Sequence, residues 1–221
     1  MSLRLDWCSH EAAKYAVEHW HYSRSLPAGK LVKIGVWEDD QFIGAVVFGY
    51  GANPNLYKPY GLTQQEVCEL TRVALKEHKA TVTKIISISL KMLKSVAPGL
   101  RLVVSFADAN HDHIGGIYQG GNWIYSGIAK STPQYFVKGR WIHQRQLGSL
   151  GFSAKNVDFP KRKILDKYRY LYPLDDEMRK QIEPLRKPYP KRGRGEIDNA
   201  PQSNEETGGA SPTRPLSIKA D

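Results

Sequence analysis

Two histidines, a tryptophan and a tyrosine stand together, His19-Trp20-His21-Tyr22, where the first helical pattern of the chain runs toward Pro27-Ala28-Gly29. Imidazole and phenol groups move protons, ligate metals and stack on flat rings. Asp108 closes a strongly apolar run, Leu102 to Ala107, just ahead of a turn. Ligands collect at that end of a strand in open α/β sheets. A carboxylate there can accept a proton, bind a metal or cap the next turn. Arg72 lies in an alternating run, Val67 to Leu75, on the side of Leu70 and Ala74. A guanidinium among core-type residues needs a partner, and it can clamp a carboxylate, amide or phosphate. Asp108 and Glu69 are its candidate partners, although strict alternation turns Glu69 the other way. Tyr118, in a short helical stretch after Asp108, reads either as a general acid or as a core tyrosine. His111 and His113 flank Asp112 and raise the same question as His21. His19 and His21 point apart on a helix and make no ligand pair there. Once the chain has left the helix, His21 and Tyr22 can face a cleft together. No HExxH or paired CxxC pattern marks a zinc site.

These side chains need elements to position them. Ser9 is a plausible N-cap for a helix whose apolar stripe is Ala13, Val17 and Trp20. Residues 31–37 and 42–48 read as strands joined by the turn Glu38-Asp39-Asp40-Gln41. Residues 51–64 form a long polar, aromatic loop, a length often tied to function. A strand follows over 67–75 and a helix over 81–96, stopped by Pro98-Gly99. A buried strand at 102–107, a short helix at 113–119 and strands at 123–128 and 135–142 complete the pattern. Helices and strands in that order predict an α/β fold, a mixed sheet with helices on both faces.

The chain carries a formal net charge of +10, distributed unevenly. Residues 151–194 hold 13 basic and 6 acidic side chains, whereas 195–221 hold 2 and 5. Density of this kind favours polyanionic partners through counterion release. In Lys161-Arg162-Lys163 and Lys167-Tyr168-Arg169-Tyr170 the cations alternate with flat rings suited to bases and sugars. The domain reading is therefore a main domain over 1–150, a basic, aromatic extension over 151–194 that either contacts nucleic acid or packs its tyrosines on the core with its lysines outward, and a disordered tail over 195–221. Two distant cysteines, no secretory signal and no apolar run of membrane length predict a cytoplasmic protein with free thiols.

Ser105 to Trp123, with its strand, tyrosine-bearing helix and Gly-Asn-Trp turn, resembles the second half of a GNAT-type N-acyltransferase. In that superfamily a glycine-rich loop after the central strand holds the pyrophosphate of acyl-CoA. The corresponding stretch, Lys76 to Thr81, has no glycine. A closer resemblance is to the phage Mom family, carried by five motifs in one order. They are His21-Tyr22-Ser23 with Pro27-Ala28-Gly29-Lys30, Gly51 to Asn55, Cys68 to Arg72, Ser105 to Asp108, and Ile117-Tyr118-Gln119. The resemblance implies a GNAT-like fold and an enzyme that places a carbamoylmethyl group on N6 of adenine in double-stranded DNA, protecting phage DNA from restriction. It assigns catalysis to His21, Tyr22, Arg72, Asp108 and Tyr118. It suggests iron, held by Tyr22, Asp108 and Tyr118. Contact with DNA falls to Lys161, Arg162, Lys163, Lys167 and Arg169. An acetyl-CoA donor would meet the hydroxyls of Thr81 and Thr83, and an acyl-CoA-dependent N-acyltransferase acting on a small amine or protein is the alternative. The donor and the oligomeric state, a homodimer included, stay open at this point.

Overall fold

The computed structural model describes residues 2–154 and 157–191. Ser9 caps α1 (His10–Trp20) by accepting the Ala12 N–H, and Ala13, Ala16 and Val17 are fully buried. β2 (Leu31–Glu38) and β3 (Gln41–Gly49) form a hairpin in which Asp39 and Asp40 both take positive φ, 47° and 63°. Two left-handed residues give the turn a twist that matches its strands. A strand absent from the sequence reading, β1 (Leu3–Trp7), pairs with β2 at the edge. Next come β4 (Val67–Leu75), α2 (Val82–Val96), β5 (Leu102–Asp108), α3 (Gly116–Gln119) and β6 (Ile124–Ala129).

The main sheet runs β1-β2-β3-β4-β5-β10-β6, where β10 spans Lys167–Pro173. Only β4 and β5 pair in parallel, joined through α2. Packing against α1 are Ala45, Val47 and Ala74. Further along the same face Val67, Leu102, Val104 and Leu171 meet Met178 and Ile182 of α4 (Asp176–Ile182). The opposite face packs on Ile85, Ile86, Leu90 and Leu93 of α2 and Tyr118 of α3. The expected mixed α/β architecture, with helices on both faces, is the observed one. No helix among the described residues is long and apolar enough to cross a membrane.

Three expectations change. Residues 135–142 are not one strand, because Lys138 and Gly139 take positive φ and fold them back as β7 (Gln134–Val137) and β8 (Arg140–His143). With β9 (Lys161–Arg162) these form a second sheet, ordered β8-β7-β9, over a small core of Tyr135, Val137, Ile142 and Leu147. The helix expected over 113–119 is confined to α3, and a 3-10 turn at Ala109–His111 precedes it. Most consequentially, the basic segment is not an appendage throughout. Its strand β10 lies between β5 and β6, with Tyr170 and Leu171 fully buried. Met1–Pro190 form one compact unit, so the boundary expected at residue 150 falls inside it. Alternation explains this: Tyr168, Tyr170 and Tyr172 serve one face of the sheet and Leu171 the other. The tail expected over 195–221 lies outside the described residues.

Candidate active site

β4 and β5 pair at only three positions, Val67 with Leu102, Cys68 with Val103 and Glu69 with Val104. At the next step the Ser105 hydroxyl donates to the Leu70 carbonyl (2.9 Å), a side chain standing where a ladder amide would. Beyond it the two strands share no further register pair. On the other side of β4 the register with β3 shifts. Val47 pairs with Arg72 and Phe48 with Leu70, so Thr71 is an extra residue whose hydroxyl donates to the Val47 carbonyl (2.9 Å). A bulge of this kind reverses the alternation beyond it. Arg72 therefore shares a face with Glu69 and Ala74, not with Leu70 as strict alternation predicts.

The Arg72 guanidinium is fixed by two backbone carbonyls: Nε donates to Ser25 (3.0 Å) and Nη1 to Thr71 (2.6 Å). Burial lowers its pKa, while Tyr22 and Glu69 act to raise it. Gly51, at φ +70°, lies against the Glu69 carboxylate; a Cβ there would sit 2.0 Å from Oε2. The positive φ of residue 51 favours glycine where the loop after β3 meets Glu69.

α1 ends at His21, whose backbone is extended and whose N–H still bonds to the Val17 carbonyl. The helix exit turns His21 and Tyr22 together. Their rings stack with centroids 4.3 Å apart, Tyr22 meets His111 at 4.1 Å, and His113 approaches its edge at 5.5 Å. The Ser23 backbone N–H donates to His21 Nδ1 (3.1 Å), so the neutral ring carries its proton on Nε2. Burial, followed by the charges of Arg72, His113 and His111, pushes His21 down to about 4. Burial and the nearby Asp108 carboxylate raise the Tyr22 phenol. His19 stays on the helix, stacked on Tyr15, and belongs to α1.

Asp108 is buried and both its oxygens are engaged. Oδ1 accepts from the Asn110 backbone (3.0 Å) and side chain (2.7 Å), and Oδ2 faces Lys167 Nζ at 3.1 Å. Burial opposes ionisation here, but Asn110 and Lys167 outweigh it and hold the carboxyl below its ordinary range. Tyr118 lies in the main core between Trp123 and Tyr170, each ring 5.1 Å away. Ser105 spends its single proton on Leu70, so Tyr118 is the donor in the 2.8 Å bond between the two hydroxyls. Burial pushes Tyr118 up to about 12, against the Ser105 bond.

A family model, the Mom protein family, matches residues 2–191. The chain belongs to the Mom family. Among individual relatives, the methylcarbamoylase mom of Escherichia phage Mu is 27% identical over 203 residues, 86% of this chain and 84% of that protein. Solved structures with similar coordinates include the spermidine/spermine N-acetyltransferase SpeG of Vibrio cholerae, at TM-score 0.47 and 10% identity over 83% of this chain and 95% of that one. An aminoglycoside N-acetyltransferase, AAC(6')-Ib11, has TM-score 0.47 and 9% identity over 79% and 98%.

In this Mom-family chain, Tyr22, His21, Arg72 and Asp108 come together on one face where β4 and β5 part. Tyr118 approaches from the opposite face with its hydroxyl turned to Ser105. The donor set expected for iron does not fit as arranged: the Asp108 carboxylate faces the Lys167 ammonium, which opposes a second cation there, and the Tyr118 hydroxyl is a committed donor to Ser105. Among the described residues no group of three or more His, Cys, Asp or Glu is placed to hold a metal ion. Thr81 is the N-cap of α2, with its hydroxyl on the Lys84 N–H, and Thr83 packs at Gly120. The backbone N–H groups of Lys79 and Ala80, which would meet a pyrophosphate ahead of α2, are already taken by the Glu38 carboxylate. Lys161, Arg162 and Lys163 are exposed. Lys167 is paired with Asp108, and Arg169 donates to the Ser126 hydroxyl (2.9 Å). Sequence reasoning raises His111 and His113 without placing them, and it puts Arg72 on the face opposite Glu69. The extra residue in the β3–β4 pairing leaves no mark in the polarity pattern of Val67 to Leu75.

Proposed function

We propose that this chain is a transferase-like enzyme that attaches a carbamoylmethyl group to N6 of adenine in double-stranded DNA, shielding phage DNA from restriction. One observation carries the reading: a column of stacked rings, His21, Tyr22 and His111, stands beside a backbone-anchored Arg72 and an ionised Asp108 at an opening in the sheet. N6 is paired inside a duplex, so the base must leave the stack, and the enzyme has to replace the stacking it loses. Tyr22 is 44% exposed and His111 is exposed, so the column reaches solvent and can continue onto an extruded purine.

The exocyclic nitrogen is a weak nucleophile because its lone pair is delocalised into the ring. Orientation and electrophile activation must supply most of the acceleration. Arg72 spends one Nε–H and one Nη–H on Ser25 and Thr71, which fixes its plane; its remaining N–H groups orient the carboxamide of the donor. Neutral His21 donates from Nε2 to an acceptor oxygen or ring nitrogen. As N6 bonds to the methylene carbon, the leaving group departs with the bonding pair and N6 becomes strongly acidic. A carboxylate of low pKa such as Asp108 then suffices to take the proton, with Lys167 balancing its charge beforehand. Tyr118 is a positioning residue that holds β5 at the split through Ser105. The acyl-CoA reading is weakened by Glu38, whose carboxylate fills the anion position ahead of α2.

Expression in a host lacking the gene, followed by nucleoside mass spectrometry of digested DNA, tests the proposal. Carbamoylmethyladenine should appear with the native chain and vanish with folded Arg72→Gln or Asp108→Asn. Unmodified adenine in the presence of abundant, folded native protein overturns it.

A further inference from the structure

The second sheet shows a face that the main core does not use. Cross-strand pairing sets Phe136 opposite Trp141, and β9 adds Arg162 opposite Gln134 on the same side. Tyr135, Val137 and Ile142 point the other way into the small core. The open face is aromatic and cationic at once. Phe136 is 39% and Trp141 37% exposed, their rings are 5.2 Å apart, and the Arg162 guanidinium lies 4.6 Å over the Trp141 ring. Arg162 is further oriented by its Nε bond to Gln134 (2.9 Å). Lys161, which pairs with Tyr135 and so belongs to the other side of β9, and Lys163 are exposed and flank Arg162 along this edge strand.

This face adjoins the candidate active site through a short, pinned connection. β9 ends at Arg162, and β10 begins at Lys167, the residue paired with Asp108. Between them Leu165 is clamped by Asn110, which accepts its N–H (2.9 Å) and donates to its carbonyl (3.3 Å). Asn110 also donates to Asp108. β9 is therefore tied to the wall of the site by a four-residue, hydrogen-bonded connection.

We propose that the β8-β7-β9 sheet is a stacking platform for unpaired DNA nucleotides, which seats bases on Phe136 and Trp141 and phosphates on Arg162, with Lys161 and Lys163 beside it on the edge strand adding to the positive field. The inference rests on the DNA reading above and deepens it. Flat rings on an open sheet face stack on bases only where the bases are splayed out of a duplex, whereas cations alone hold paired and unpaired DNA alike. An enzyme that extrudes an adenine leaves its partner base and the neighbouring step exposed. A platform beside the site that binds such bases lowers the cost of the opened state.

Fluorescence anisotropy with the full chain tests this with three probes: a single-stranded oligonucleotide, the same sequence as a blunt duplex, and that duplex with one unpaired adenine. Trp141→Ala should weaken binding to the single strand and the bulged duplex roughly tenfold and leave the blunt duplex nearly unchanged. Trp141→Phe should restore most of the affinity. Lys161→Gln with Lys163→Gln should weaken all three probes and lower the salt slope by roughly 0.7 to 0.9 for each phosphate no longer neutralised, whereas Trp141→Ala should keep the native slope. Circular dichroism of each variant distinguishes a missing side chain from a disrupted fold. Equal weakening on paired and unpaired probes, or no weakening with Trp141→Ala, overturns the platform. The result is independent of nucleoside mass spectrometry, so absence of modified adenine with intact selective binding refutes the enzyme and spares the platform.

Discussion

Ser105 and Tyr118 form a relay whose energetics can be worked out group by group. Tyr118→Phe removes one buried neutral hydrogen bond and leaves Ser105 bonded to the Leu70 carbonyl. The expected cost is about 1 kcal/mol, or a fall in Tm of about 2 to 4 °C for a chain of this size. Ser105→Ala strands two groups, the Tyr118 hydroxyl and the Leu70 carbonyl, at roughly 1 to 3 kcal/mol each. In the Ser105→Ala background the Tyr118 hydroxyl has no acceptor, so its removal should be neutral or stabilising. The double-mutant cycle should show a coupling of at least about 1 kcal/mol. Urea denaturation followed by circular dichroism reads all four proteins. Effects that add to within about 0.5 kcal/mol would mean that the two hydroxyls do not interact, and the account of how β4 and β5 are held at the split would fall. The same variants separate positioning from chemistry. Tyr118→Phe should keep adenine modification within about tenfold of native, since general acid–base groups contribute roughly 100-fold or more. A loss of that size in a stably folded Tyr118→Phe protein would place its proton in the reaction.

Two further outcomes follow from buried groups. His21 titrates at about 4 in the folded chain and near 6.5 when unfolded. Between those values the unfolded chain binds the proton and the folded one does not, so the stability held above about pH 6.5 should decline as pH falls toward 4. His21→Gln should flatten that part of the profile of urea midpoint against pH, and an unaltered profile would refute the burial assigned to this ring. The Tyr60 hydroxyl is buried with no hydrogen-bond partner among the described residues. Tyr60→Phe should therefore leave stability within about 0.5 kcal/mol or raise it, and a loss above about 1 kcal/mol in thermal unfolding would show that the hydroxyl is bonded.

Local signals in the sequence suffice where local physics decides. The Ser9 cap, the hairpin at Asp39-Asp40 and the stripe of α2 each depend on neighbours a few residues away. Strict alternation puts Arg72 on the wrong face because a single extra residue, Thr71, is a property of pairing with β3 and not of composition. β10 escapes a reading by composition because Lys-Tyr-Arg-Tyr-Leu-Tyr has the same letters on a DNA-facing surface and inside a sheet; only its two partners distinguish them. His21 and Tyr22 are legible through their motif, but their stacking on His111 and His113 comes from the tertiary meeting of two loops. Of the readings open for Asp108, the structure shows the cap, made through Asn110, at a position that also lies close to Tyr22 and Lys167.

The late return of β10 has a consequence for how the protein is made. β5 and β6 are not bonded to each other; each pairs with β10, which ends at Pro173. During synthesis the sheet lacks an inner strand until most of the polypeptide has left the ribosome, and two unsatisfied strand edges face each other across the gap. Pairings this distant in sequence close slowly and leave apolar surface open in the meantime. A nascent chain stalled or cleaved near residue 150 is thus an aggregation hazard and not a smaller enzyme.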